Sequence, residues 1–520
     1  MITRIKNCAL CIKNCALCIV HCALLIACGG ASIPKDFVKT QVPPNIYPDY
    51  TNVTVPANIA PLCFELLVGV EDALTRFSAN GGEIVCEGIK ACPPIEEWRK
   101  LTAAAKGKSI DVEIFVRKGG RWLRLRPFQI YVSKDSIDPW LSYRLISPSY
   151  VAYEELTINQ RCLENFDERV IVDNMLCSTE SGGQCVNCHN YQNYNPRRMQ
   201  FHARQTHGGT LIAYDDSVYK VDLKRADAPT SGAYPAWHPS QPLIAYSANK
   251  TMQAFHTSGT DKIEVLDSES DLMIYDLKRD EMKVIDPQTD ELEIFPSWSP
   301  DGRWLYFCSA HFAYQPYRKD SLSQKVYVDT RTPEQEIVMR SRELKYNIYR
   351  MSYDPATRQF GERELVFDAA KYDRSATLPR ISPDGRRLLF TVARYGCFHI
   401  WHHDADLWMM DLKTGDVGPL TECNSDQTES YHVWSSSGRW IVFSSRRTDG
   451  TFTRPFIAHI DSQGKGSKPF ELPCSNPDYH RQLMKSYNVP ELMKDPVTLS
   501  PQEIASALKR EARSAKFISR

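Results

Sequence analysis

The chain has no excess charge of either sign: its 520 residues carry 63 Lys plus Arg against 63 Asp plus Glu, with no basic block. Nucleic acid is met first through a positive stripe or patch, so nucleic-acid binding has no electrostatic footing here. Long apolar runs are also missing. The one from Cys15 to Ala27 is interrupted by His21 and falls short of the roughly 20 residues a membrane-spanning helix needs. No nucleophile triad or paired acid stands out, which leaves hydrolase chemistry little support. A thioredoxin-like βαβ pattern, the usual carrier of a redox C-x-x-C pair, is absent too.

The N-terminus reads as a leader. Arg4, Lys6 and Lys13 form a basic start, the apolar run follows, and Leu25-Ile26-Ala27-Cys28-Gly29 closes it, the order of a secretory signal peptide. The ending resembles a bacterial lipobox. That resemblance implies a signal peptide over 1–27 and lipidation of Cys28. With Gly29 next, it also implies an outer-membrane anchor facing the periplasm. Lys6 to Ile12 is repeated as Lys13 to Ile19, a duplication without chemistry that leaves with the leader. The Pro-rich stretch after Cys28 reads as an extended tether over 28–57. Of 17 cysteines, cleavage removes the five before Cys28, and an odd number remains once Cys28 and the Cys185/Cys188 pair are set aside. At least one thiol is therefore expected to be unpaired.

The alternating segments Ile110 to Val116, Arg121 to Leu125 and Phe128 to Val132, with Gly119-Gly120 between the first two, signal a hairpin in a small β domain. It spans 58–133 and is expected to be a sandwich. Residues 134–207 read as a connector. From 208 the chain repeats. Tyr234-Pro235-Ala236-Trp237-His238-Pro239, Phe295 to Arg303 (FPSWSPDGR), Leu378 to Arg386 (LPRISPDGR) and Tyr431 to Arg439 (YHVWSSSGR) each precede an apolar strand. Pro-Asp-Gly presets one φ and tolerates a positive one, so the motif is a tight turn between antiparallel strands. Strand, turn, strand, loop, strand at uneven spacing is a β-propeller pattern. These units resemble the TolB-like propeller repeat, which implies five or six blades over 208–473. The tail, 474–520, is expected to be partly helical. The fold class expected is mainly β: an N-terminal β-sandwich-like domain, a haem-bearing connector and a C-terminal TolB-like propeller.

The connector holds Gln184-Cys185-Val186-Asn187-Cys188-His189-Asn190. C-x-x-C-H is the attachment signature of c-type cytochromes, and the resemblance implies one haem c. Cys185 and Cys188 would carry it covalently, with His189 as proximal ligand. Met199, His202 and His207 are the nearest candidates for a sixth ligand, and Tyr191 or Tyr194 could cover an open position instead. Arg197, Arg198 and Arg204 are placed to meet propionates. A zinc site drawing on Cys177, His202 and His207, or a disulfide, remains open. Blade geometry would also bring loop histidines onto one face: His256, His311, His399, His402 and His403, the last beside Asp404.

The function expected is a periplasm-facing, lipid-anchored monohaem cytochrome that exchanges electrons with a redox partner protein or a membrane donor. In layout it is similar to the alpha subunits of hydrazine synthases. The alternatives are a protein-interaction scaffold with a structural haem or metal, and a haem enzyme with an open coordination site.

Overall fold

The structure, a computed structural model, describes residues 32–147, 155–178, 183–224, 232–315, 317–319, 322–328 and 331–518. The leader and Cys28 lie outside the described residues.

The N-terminal unit is built on a seven-stranded sheet in which Ser109–Lys118 is the hub, paired with Asp72–Ala79, Arg121–Arg124 and Phe128–Ser133. The Gly119-Gly120 turn closes the hairpin with Lys118 opposite Arg121, both glycines at positive φ. A three-stranded sheet, the helix Ile95–Ala104 and a Cys63–Cys92 disulfide complete it. The stretch read as a tether contributes strands Val38–Lys39, Ile46–Tyr47 and Thr54–Pro56. Its partners are distant in sequence, as in Thr54–Pro56 running parallel to Phe128–Ser133, so nothing local marks those residues as strand.

Most of the rest of the described chain falls into six four-stranded antiparallel units, called sheets I to VI here; a parallel Ser270/Leu292 pairing joins III and IV into one nine-stranded sheet, and Arg513–Ser514 and Lys516–Phe517 add short parallel edge strands to II and III. Their inner strands are Ser486–Met493 (I), Val186–Gln192 (II), Ala233–Trp237 (III), Glu291–Trp298 (IV), Ser375–Ile381 (V) and Glu429–Trp434 (VI). Each inner strand packs against the next, and the sixth returns to the first. This closed ring is a β-propeller. Sheet I takes its three outer strands from Trp140–Ile146, Thr157–Cys162 and Glu168–Asp173, and its inner strand from the C-terminal region. The ring is therefore closed by hydrogen bonds between distant parts of the chain. The stretch read as a connector thus lies in sheets I and II, and the tail supplies the closing strand as well as the helix Pro501–Lys509.

Local chemistry explains the repeat. In sheets IV and V, Ser299 and Ser382 each donate to the next-but-one Asp at 2.5 Å, and those carboxylates accept from Arg303 and Arg386 backbone N–H. Gly302 stands at φ +69°, and a Cβ there would sit 2.4 Å from the His238 ring of sheet III. Two of the three inner-strand tryptophans tie neighbouring sheets together. Trp298 donates to the Ala236 carbonyl and Trp434 to the Arg380 carbonyl, each one sheet back. The N-terminal unit docks on sheet VI, sharing a core with Trp440, Val442, Ile457 and Phe470; Asp138 accepts from Ser436 N and Oγ, both at 2.6 Å.

Candidate functional site: the channel at the centre of the ring

Every inner strand carries a bulge at the same step. The register slips across Asn187/Asn190, Ala233/Ala236, Ile294/Ser297, Thr377/Arg380 and Ser430/Val433, and in sheet I opposite Ser142/Arg144. One side chain-bearing residue at each has a positive φ: Cys188 (56°), Tyr234 (49°), Phe295 (56°), Leu378 (55°), Tyr431 (47°) and Val489 (50°). Such conformations cost on the order of 1 kcal/mol or more each and persist only where the surroundings impose them. All six residues line one cavity of about 280 Å³ at the centre of the ring. The residue after each is His189, Pro235, Pro296, Pro379, His432 or Pro490. Proline suits a bulge, where a backbone N–H is left out of the ladder.

C-x-x-C-H therefore falls on the bulge of sheet II. Cys185, Cys188 and His189 all line the cavity. Cys188 is half-buried, and burial pushes its thiol up. His189 is 1% exposed, and neither ring nitrogen makes a well-formed hydrogen bond, although the backbone of Ser142 and Val489 lies close to the ring. Burial first, then the nearby Arg144, pull it down to about 3, so it is neutral at ordinary pH.

The candidate sixth ligands do not line the cavity. Met199 is fully buried in the core between sheets I and II, with Tyr191 and Phe201. His202 bonds Thr210 Oγ1 through Nδ1 at 2.8 Å and faces Tyr246 of sheet III. His207 sits at positive φ in the turn after Asn195–Ala203. Spacing along the chain placed these residues near the motif, but they lie on the second strand of sheet II or in the turn after it, not on the inner strand that lines the channel. Tyr191 donates to Ser142 Oγ, and Tyr194 occupies the hairpin turn at φ +63°. Arg197 and Arg198 pair with Asp216 and Asp215, in the turn between the third and fourth strands of sheet II; of the three arginines proposed for propionates, Arg204 alone reaches the cavity. Cys177 bonds the Ala505 carbonyl on the helix side.

The loop histidines converge in part. The long hairpin Leu243–Phe255/Ile263–Asp276 reaches across to sheet V, where Ile263 and Val265 pack on Ile400 and Trp401. There Glu264 accepts from His256 at 2.8 Å, from His402 at 3.1 Å and from Tyr395 at 2.6 Å. Burial opposes ionisation of Glu264, but these bonds outweigh it and hold the carboxyl at about 2. His403 bonds Asp261, His399 bonds Thr377 and the Gly396 carbonyl, and Asp404 pairs with Arg394. His311 stands apart on Glu291. Through Glu264 and Asp261, His402 and His403 clamp the hairpin to sheet V. Among the described residues no group of three or more His, Cys, Asp or Glu is arranged to hold a metal ion.

One cluster escaped the sequence reading. Cys474 Sγ lies 3.5 Å from His480 Nε2, and His480 Nδ1 lies 2.5 Å from Glu471. All three are buried, and none lines the cavity.

No family model matches the chain. An uncharacterized protein of Agrobacterium fabrum is 27% identical over 195 residues, 34% of this chain and 59% of that protein. The chain thus spans less than two thirds of that relative's length. Among solved structures, TolB from Acinetobacter baumannii aligns at TM-score 0.41 and 13% identity, over 76% of this chain and 84% of that one. The β-propeller domain of the Trilobed protease from Pyrococcus furiosus aligns at 0.29 and 13%, over 71% and 96%. The propeller assignment rests on the sheet order and the closed ring above.

Proposed function

We propose that the protein is an exported TolB-like propeller of six blades that binds a ligand in its central channel. The observation that carries this reading is the cavity itself: side chains from all six inner strands line it, and each strand spends one strained residue on its wall. A concave site with apolar walls and a few polar groups is the usual form of a ligand pocket. The leader supports export, and Leu25 to Gly29 supports lipidation at Cys28 and attachment to the outer membrane, with the propeller facing the periplasm. The Cys63–Cys92 disulfide fits an oxidising compartment.

Thermal unfolding against a panel of small metabolites tests the reading, with wild type beside Leu378→Trp, which fills the channel. At least one compound should raise the wild-type midpoint by several degrees and leave the variant unmoved. Equal shifts in both proteins would place the ligand elsewhere and overturn it.

A second reading keeps one haem c in the same channel and makes the protein a cytochrome serving a redox partner protein or a membrane donor. Two thiols on one cavity wall and a buried, neutral imidazole with no well-formed hydrogen bond favour it. Those residues fit the group: Cys185 and Cys188 would hold it and His189 would face the iron. When bound, haem would supply one-electron exchange or ligand binding at iron. With Met199, His202 and His207 off the cavity, the channel offers no sixth ligand from that set, which favours an open coordination site over an electron carrier. Intact mass and a pyridine haemochrome spectrum, on protein exported alongside the c-type maturation machinery, decide the matter. Covalently retained haem adopts this reading, and protein without haem removes it.

A further inference from the structure

The cavity wall holds an uncompensated cation. Arg144 lies on Trp140–Ile146 of sheet I, opposite Asn488 and beside the Val489 bulge, and is 8% exposed. Among the described residues its guanidinium makes no hydrogen bond and no ion pair, and its Nε is buried without a partner. Two more arginines line the same cavity, Arg204 from sheet II and Arg380 from sheet V, and neither side chain is in an ion pair among the described residues. Against them stands one carboxylate, Glu491, held by Asn190 Nδ2 at 2.9 Å. Burial pushes that carboxyl up, which weakens it further as a counter-ion.

Leaving a buried charge unpaired is strongly destabilising, and a fold tolerates it where a partner arrives from outside. Guanidinium presents a planar fork of donors that matches the paired oxygens of a carboxylate or phosphate. We infer that the channel binds a small oxyanion, a carboxylate or a phosphate ester, with Arg144 as the buried contact and Arg204 and Arg380 beside it. A volume of about 280 Å³ admits a metabolite-sized body, which would lie between the rings of Tyr234, Phe295 and Phe398. The inference rests on the channel being the binding site and adds the chemical class of the occupant.

Calorimetry and thermal unfolding with citrate, inorganic phosphate and the cation glucosamine test it on the leaderless chain. Citrate or phosphate should bind, more weakly as salt rises, and Arg144→Met should weaken binding at least tenfold while Arg144→Lys keeps part of it. Without ligand, Arg144→Met should unfold no earlier than wild type, because it removes an unpaired charge. Binding of citrate alone identifies a carboxylate, and binding of phosphate alone a phosphate ester. Anion binding unchanged in Arg144→Met overturns the inference. So does glucosamine binding, sensitive to Leu378→Trp, with no response to either anion; that result leaves the channel as the site and removes only the oxyanion. Absence of any Leu378→Trp-sensitive ligand overturns both.

Discussion

His189 and His432 occupy the same step of the repeat, each immediately after the positive-φ residue of an inner strand. The His432 ring is fastened to the preceding sheet, with Nδ1 3.3 Å from Thr391 Oγ1 and Nε2 3.2 Å from the Leu389 carbonyl. The His189 ring, buried as deeply, makes no hydrogen bond of that quality and has only the backbone of Ser142 and Val489 close to it. One histidine is thus fastened by side-chain and backbone bonds to its neighbour, whereas the other is held only loosely beside two thiols.

Because four of the six equivalent positions are proline, His189→Pro should fold. Its loss of stability in urea should stay within about 2 kcal/mol, well below the ~3 kcal/mol or more expected for proline placed where a ladder N–H is needed. Failure of His189→Pro to fold would mean that the bulge of sheet II differs from the other five.

Closure of the ring depends on the strand Ser486–Met493. Leu492 is 1% exposed there, and Leu492→Ala should cost about 2–5 kcal/mol. Met484, just before the strand, is 75% exposed, and Met484→Ala should stay within about 0.5 kcal/mol. Equal effects in denaturant titrations would contradict closure by this strand.

The Glu264 clamp fixes the hairpin that covers part of the channel. Its carboxyl is lower in the folded state than its ordinary 4.5, so the stability it contributes is complete above that value and is lost as pH falls through about 2. The stability difference between wild type and Glu264→Gln, measured in urea at pH 6, 4 and 3, should shrink with acid. A difference that grows on acidification would reverse the assigned direction.

How much of this was legible in the sequence follows from how local each signal is. Ser-Pro-Asp-Gly-Arg carries its own turn chemistry within five residues, so sheets IV and V were visible directly. Sheets I and II lack that turn. The first hairpin of sheet II closes instead on Asn193 and Tyr194, both at positive φ, and a stretch without Pro-Asp-Gly reads as a connector. The inner strand of sheet I lies at the far end of the chain. Its one local signal, Val489-Pro490, matches Tyr234-Pro235, Phe295-Pro296 and Leu378-Pro379 and was available. Arg144 could not be found that way, because an unpaired cation is defined by what surrounds it in space.

The central claim is that C-x-x-C-H lies on the wall of an accessible channel, and thiol labelling tests it most directly. Leaderless protein, made where no c-type maturation occurs, is treated in its folded state with iodoacetamide and mapped by peptide mass spectrometry. Among the described free thiols Cys188 alone is not fully buried. The account predicts that Cys188 is modified first, ahead of Cys308, Cys397 and Cys423, and that Leu378→Trp slows its modification. Cys188 as protected as those core thiols, or labelled at the same rate in Leu378→Trp, would contradict the account.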